Sequence, residues 1–170
     1  METPSAIFLV TGATGNVGAA TTEALLLAGR TVRSAVRHQK TVQKRFSGFP
    51  GHLDPRRLDF DGSAPDPSFF EGVRGLLLIR PPQVGNVEEA MFPFLQAARQ
   101  AGVPRIVFLS LLGAKWLPFV PHRKLEKEIR RLGFEHTFMR AGFFMQNLED
   151  VFRGFIRHKG ELPVPAGESR

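Results

Sequence analysis

The stretch Ile7-Phe8-Leu9-Val10-Thr11-Gly12-Ala13-Thr14-Gly15-Asn16-Val17-Gly18 constrains this chain more than any other. An apolar run stops at three glycines spaced G-x-x-G-x-x-G, and a helical pattern begins at once. That is a strand, a tight turn and a helix. The turn falls where a helix exposes N–H groups without intrahelical partners. Those groups, with the positive end of the helix dipole, favour an anion, most often a phosphate. Glycine is required because a Cβ would block the turn or the close approach of a pyrophosphate. The stretch therefore reads as the phosphate cradle of a dinucleotide-binding domain. The spacing differs from the commoner G-x-G-x-x-G, and the competing reading is a glycine-rich turn with no ligand.

The next residues refine that reading. A helix over Asn16 to Ala28 places Val17, Ala20, Ala24, Leu25 and Ala28 on one stripe, and Gly29 ends it. A strand follows over Thr31 to Val36. Arg37 and His38 stand at its end, where a dinucleotide fold holds the adenosine ribose. A site for NAD usually carries an acid there, to bind the ribose 2′-hydroxyl. None occurs between Arg30 and Pro50. Arg37 suits a 2′-phosphate, which favours NADP(H) over NAD(H); the alternative for Arg37 is a surface charge at a strand end.

Downstream, residues 46 to 56 read as loop. A short third strand is expected over Arg57 to Phe60, closed by Asp59-Phe60-Asp61, and a short helix around Ser68 to Glu71. Leu76 to Ile79 is the fourth strand, and Arg80-Pro81-Pro82 forces an extended exit from it. Asn86 reads as a helix N-cap with Glu89 as its capping-box partner. That helix runs to about Ala101 and buries Met91, Phe94, Leu95 and Ala98, with Pro93 expected to kink it or delay its start. Arg105 to Ser110 is the fifth strand. A helix over His122 to Leu132 places Leu125, Ile129 and Leu132 on one stripe, and His136 to Met139 is the sixth strand. Residues 143 to 158 read as helical with a break at Gly154. The tail from Gly160 has no core of its own.

Strands one, four and five are continuous apolar runs, which marks strands buried on both faces of a parallel sheet. Strand and helix alternate throughout, so the expected class is α/β, a Rossmann-type doubly wound parallel sheet in a single domain. The domain is expected over residues 1–160, with 161–170 as a short tail. Right-handed crossovers place the glycine turn, Arg37, Asp59 and Pro81 along one edge of the sheet, at the carboxyl ends of the strands.

Composition closes off several classes of function. The chain has 170 residues, no cysteine and no tyrosine. Disulfides, thiol catalysis and cysteine metal sites are thereby excluded, and no metal centre is expected. No apolar stretch approaches a membrane span. The polar start Met1-Glu2-Thr3-Pro4-Ser5 lacks a signal-peptide layout, so a cytoplasmic location is the default. The net charge of +7 raises the question of nucleic acid. Yet the excess clusters around the second strand, in Arg30, Arg33, Arg37, Lys40, Lys44, Arg45, Arg56 and Arg57 against the single acid Asp54. Most of these read as a solvated basic face. The 2′-phosphate pocket gives the excess a nearer explanation, and no nucleic-acid motif occurs.

Together these residues resemble the NmrA-like, atypical short-chain dehydrogenase/reductase family, above all its NADPH quinone and azo-dye reductase branch. The resemblance rests on Thr11 to Gly18, Leu58-Asp59-Phe60, Leu78 to Pro82, Ala101-Gly-Val-Pro104, Phe108-Leu109-Ser110, His122-x-x-x-Glu126, Gly133 to Thr137 and Arg140 to Asn147. It implies that Gly12, Thr14, Gly15, Asn16 and Val17 line the pyrophosphate and that Arg37 pairs with the 2′-phosphate. It also implies that Asp59 and Phe60 touch the adenine, that Arg80 and Pro81 flank the cofactor ribose, and that Ser110 lies near the nicotinamide. The wider superfamily donates its proton from a Tyr-x-x-x-Lys pair, which a chain without tyrosine cannot supply. His122 matches the family's His-x-x-x-Glu helix and can donate a proton near neutral pH; the bland alternative is an exposed residue at a helix start. Lys124 and Glu126 read as surface charges, Glu126 with Arg130 as a solvated helix pair.

Relatives usually continue beyond Pro163 to Gly167 with a region that covers the substrate. Without such a cover, Trp116, Phe119, Phe143 and Phe144 would be exposed or used in a homodimer. Two activities follow from the resemblance. One is an NADPH-dependent reductase of a quinone-like or related small electrophile. The other is a non-catalytic NADP redox sensor acting through a regulatory partner protein.

Overall fold

A computed structural model describes residues 6–150 and 152–162. The chain divides into two compact units, one ending at Arg140 and one beginning at Ala141. The first is built from β1 (Ile7–Thr11), α1 (Asn16–Leu27), β2 (Thr31–Val36), α2 (Gln39–Arg45), β3 (His52–Arg57), a 3₁₀ turn (Pro67–Phe70), β4 (Val73–Ile79), α3 (Val87–Gln100), β5 (Arg105–Leu111), α4 (Pro121–Arg131) and β6 (Glu135–Ala141), whose last residue crosses the boundary. The sheet order is β3-β2-β1-β4-β5-β6. The ladders joining β3, β2, β1, β4 and β5 are all parallel.

The apolar runs explain the layering. Successive strand residues point to opposite faces, so Leu9 faces one core and Val10 the other, and Leu76 and Leu78 oppose Leu77. On one face the core takes Met91, Phe94, Leu95 and Ala98 of α3 with Leu125 and Ile129 of α4. On the other it takes Ala19 and Leu26 of α1 with Val42 of α2. Helices thus cover both faces, and the fold is the doubly wound α/β class that the apolar runs predict.

Four local expectations change. The buried face of α1 is Gly18, Ala19, Thr22 and Leu26, whereas Ala20, Ala24 and Ala28 are exposed. The cause is the third glycine of the motif. A Cβ on Gly18 would stand 2.2 Å from the carbonyl oxygen of Gly12, so α1 turns its glycine to the strand-end turn and the rest of the stripe follows. The third strand lies at His52–Arg57, earlier than Arg57 to Phe60 and inside the expected loop. It contains Pro55, paired in register with Ser34. Proline is tolerated there because β3 is the sheet edge and needs no outward N–H. Arg33, counted with the solvated basic face, is only 5% exposed. It binds the Asp54 carboxylate at 2.7 Å and donates to the carbonyls of Phe69 and Glu71. The other seven basic residues of that segment are exposed.

Lastly, Pro93 does not delay the start of α3, which begins directly behind its Asn86 cap, whose Oδ1 accepts the Glu89 N–H and whose Nδ2 donates to the Glu89 carboxylate.

The second unit holds α5 (Gln146–Asp150) and α6 (Arg153–Lys159). Phe143 stacks on Phe152, with ring centroids 5.8 Å apart. The helical break precedes Arg153, and Gly154, where it was expected, lies inside α6. Met1 to Ser5 and the Pro163 to Gly167 element lie outside the described residues. Among the described residues, no helix is long and apolar enough to cross a membrane.

Gly18→Ala is expected to destabilise the chain by about 3 kcal/mol in urea unfolding, because backbone must move to admit the methyl group. Gly48→Ala, where a Cβ meets nothing within 4 Å, is expected to be near neutral. Equal stability of the two variants would contradict the close helix-to-turn contact.

Candidate functional site

A cavity of about 760 Å³ opens at the carboxyl ends of β1 to β4. It sits where the chain order turns from β1 to β2 on one side and to β4 on the other, the position at which open α/β sheets hold ligands. Thr11 fixes this point. Its hydroxyl accepts the Ile79 N–H at 2.7 Å and lies within 3.2 Å of the Ile79 carbonyl. The ends of β1 and β4 are thereby stitched together beneath the cavity.

Gly12 leaves β1 with φ +66°, a left-handed turn that L side chains rarely adopt. Its carbonyl accepts the Gly15 N–H at 3.0 Å. Gly15 then caps α1, with no side-chain cap and no acid in the first turn. The positive end of α1 is therefore offset by no carboxylate of its own.

Of the residues singled out from the sequence, the cavity gathers Gly12, Thr14, Gly15, Arg37, Asp59, Phe60, Arg80 and Pro81. They come from four separate strand ends. Asn16 and Val17 open α1 next to this wall without being part of it. His38, placed beside Arg37 at the end of β2 by the sequence, lines the cavity too; residues not expected there are Thr41 and, at the start of α3, Val84, Gly85, Asn86 and Glu89. The signal for that second group was the Asn86 cap, which places the start of a helix at the mouth of β4.

Arg80 has a structural task as well. One Nη donates to the carbonyls of Pro81, Pro82 and Val84. Its Nε is buried without a hydrogen-bond partner. Burial lowers its pKa from the usual arginine value. The side chain thus braces the loop that walls the cavity.

Ser110 and His122 lie off the cavity wall. The Ser110 hydroxyl donates to Glu126 at 2.7 Å. Glu126 is no surface charge: it is 2% exposed. Arg140 of β6 grips it twice, at 3.0 and 2.8 Å, and Arg130 reaches it at 3.5 Å. Burial works to raise its pKa, but the hydrogen bonds from Arg140 and Ser110 and the charges of Arg140 and Arg130 outweigh it and hold the carboxyl below its ordinary value. The sequence did carry a signal for this. Positions 122, 125, 126 and 129 form one helical stripe, and an acid within it belongs to the buried face.

His122 is the second residue of α4 and is half-buried. Its ring stacks on Phe108, with centroids 5.9 Å apart. Burial lowers its pKa, the positive charge of Arg80 lowers it further, and Glu126 opposes both. Arg80, the positive charge that acts on the imidazole, also lines the cavity. Trp116 and Phe119, in the loop before α4, are 78% and 90% exposed. In the second unit, Phe143 and Phe144 are exposed as well. Among the described residues, no group of three acids or histidines could hold a metal ion.

The NmrA-like family model matches residues 4–169. The chain is 29% identical to prestalk A differentiation protein A of Dictyostelium discoideum, over 94% of this chain and 52% of that protein. It is 28% identical to the NAD(P)H azoreductase of Xenophilus azovorans, over 96% of this chain and 57% of that protein. The chain thus spans about half the length of these relatives. The triphenylmethane reductase of Citrobacter sp., solved in complex with NADP(H), superposes with a TM-score of 0.67 at 23% identity, covering 88% of this chain and 55% of that one.

The pKa of His122 has a consequence for stability. The unfolded chain binds a proton at this histidine more readily than the folded one, so stability falls as pH drops below the ordinary imidazole value, about 6.5. Urea unfolding at pH 7, 6 and 5 is expected to show that decline, and His122→Gln is expected to flatten it. An identical slope in the variant would refute the lowered pKa.

Proposed function

The chain belongs to the NmrA-like family, and on that premise we propose that it binds NADP(H) and reduces a quinone-like or related small, flat electrophile in the cytoplasm. One observation carries the reading. A left-handed glycine turn, a helix start whose cap residue, Gly15, brings no side chain, and Arg37 line one cavity at the β1/β4 switch point. The residues present fit a dinucleotide phosphate: the turn has no Cβ at Gly12 or Gly15, and the end of β2 offers a cation and no acid.

In this proposal Gly12, Thr14, Gly15, Asn16 and Val17 receive the pyrophosphate at the start of α1, where backbone N–H groups and the helix dipole favour it. Arg37 pairs with the 2′-phosphate and selects NADP(H). Asp59 and Phe60 contact the adenine. Arg80 holds Pro81 and its loop against the ribose. Ser110 lies toward the nicotinamide. The bound cofactor supplies the hydride. His122 donates a proton to the atom that takes up negative charge, the part a tyrosine plays in the wider superfamily. The azoreductase relative supports a planar, electron-poor acceptor.

A second reading shares the cofactor and drops the chemistry. The absence of tyrosine and a relative named as a differentiation protein favour an NADP sensor that acts through a partner protein.

Thermal unfolding with NADPH and with NADH tests the shared part. A ligand that binds only the folded state adds about 2.7 kcal/mol at a hundredfold excess over Kd. NADPH is expected to stabilise the chain more than NADH, and Arg37→Glu to remove most of that difference. No stabilisation by either nucleotide defeats both readings. Oxidation of NADPH by a panel of quinones and azo dyes then separates them. Turnover that falls roughly 100-fold in His122→Ala supports the enzyme, and tight binding without turnover supports the sensor.

A further inference from the structure

Glu126 takes no part in the chemistry just described, yet it is a buried carboxylate with several donors converging on it. Its partners come from three elements: Ser110 near the end of β5, Arg140 near the end of β6, and Arg130 one turn along α4. A carboxylate held ionised accepts hydrogen bonds and gives none. The Ser110 hydrogen is therefore committed to Glu126, and Ser110 has only lone pairs left for any other group.

The placement has a second effect. Glu126 and His122 are four residues apart and share one face of α4. Val120, which caps α4, makes no side-chain cap. The first turn is held from below by the stack of His122 on Phe108 and by the grip of β5 and β6 on Glu126, and from outside by Arg123, which donates to the Lys115 carbonyl, and by the Lys124–Glu88 ion pair. Removing the carboxylate would leave the buried Ser110 hydroxyl without its acceptor, which is a costly change, while Arg140 keeps access to solvent.

We propose that Glu126 is a positioning residue of the reductase site: it turns the Ser110 hydroxyl proton away from the substrate and pins the turn of α4 that carries His122. The proposal rests on the reductase reading above. Two charged groups act on the His122 ring, Arg80 from the end of β4 and Glu126 from α4, while Phe108 of β5 carries no charge.

The test compares the wild-type chain with Glu126→Gln. The His122 imidazole is titrated by NMR in the absence of ligands, its signal assigned by its loss in His122→Ala. NADPH Kd and kcat with a simple naphthoquinone are measured alongside. The folded variant is expected to bind NADPH within about threefold of wild type. Its kcat is expected to fall tenfold or more, and its His122 midpoint to move to lower pH because the neighbouring anion is gone. A folded variant in which either kcat or the midpoint is unchanged overturns the proposal. Should Glu126→Gln fail to fold, Arg140→Lys keeps the charge and loses the two-pronged grip. It is expected to lower kcat severalfold at an unchanged NADPH Kd, and an unchanged kcat overturns the proposal there too. A wild-type chain without turnover defeats the reductase reading alone, and the titration then decides the link between Glu126 and His122.

Discussion

The approach of α1 to the Gly12 carbonyl is the constraint on which the first unit depends. With a Cβ at Gly18 the helix would stand off the turn, since the methyl group would fall 2.2 Å from that oxygen. Without one, α1 packs with its start against the end of β1. Leu26 reaches the same core as Val10 and Val32, and the cavity floor stays open for a ligand. Thr11 completes the arrangement by tying β1 to β4 from the other side. The glycine motif is therefore a packing device as well as a phosphate cradle.

Two networks around buried charges brace the first unit. Along the edge formed by β2 and β3, Arg33 and Asp54 join the strands and hold the 3₁₀ turn through two backbone carbonyls. At the other end, Glu126 joins α4 to β5 and β6. Both systems pair a buried charge with an opposite charge and further hydrogen bonds, the condition under which a buried charge is tolerated. Between them lies the cavity, walled by a loop that Arg80 braces from within. Arg37 and His38, both exposed, line its rim, where a charged ligand can reach Arg37 from solvent.

The aromatic residues follow a similar division. Phe69, Phe70 and Phe94 meet edge-on and tilted in the core beneath α3, with ring centroids 5.3 to 6.4 Å apart. Trp116 and Phe119 lie outside any core, in a loop rich in turns between β5 and α4. That loop precedes the helix carrying His122, so the large apolar residues with the greatest exposure adjoin the start of α4.

Much of the fold was legible because its signals are local. A glycine turn after an apolar run, strands buried on both faces and an Asn86 cap each depend on neighbours in sequence, and each places an element. The gathering of Gly12, Arg37, Asp59 and Arg80 was legible too, since the handedness of crossovers puts successive strand ends on one side. The sequence alone could not set which face α1 buries, since that depends on one backbone contact with the preceding turn. Nor could it show β3, an edge strand of charged residues and a proline whose only strong signal is its pairing with β2. Only the tertiary structure showed that Arg33 and Glu126 are interior charges. A charge reads as solvated until its partners are known, and Asp54, Ser110 and Arg140 lie 14 to 21 residues away along the chain.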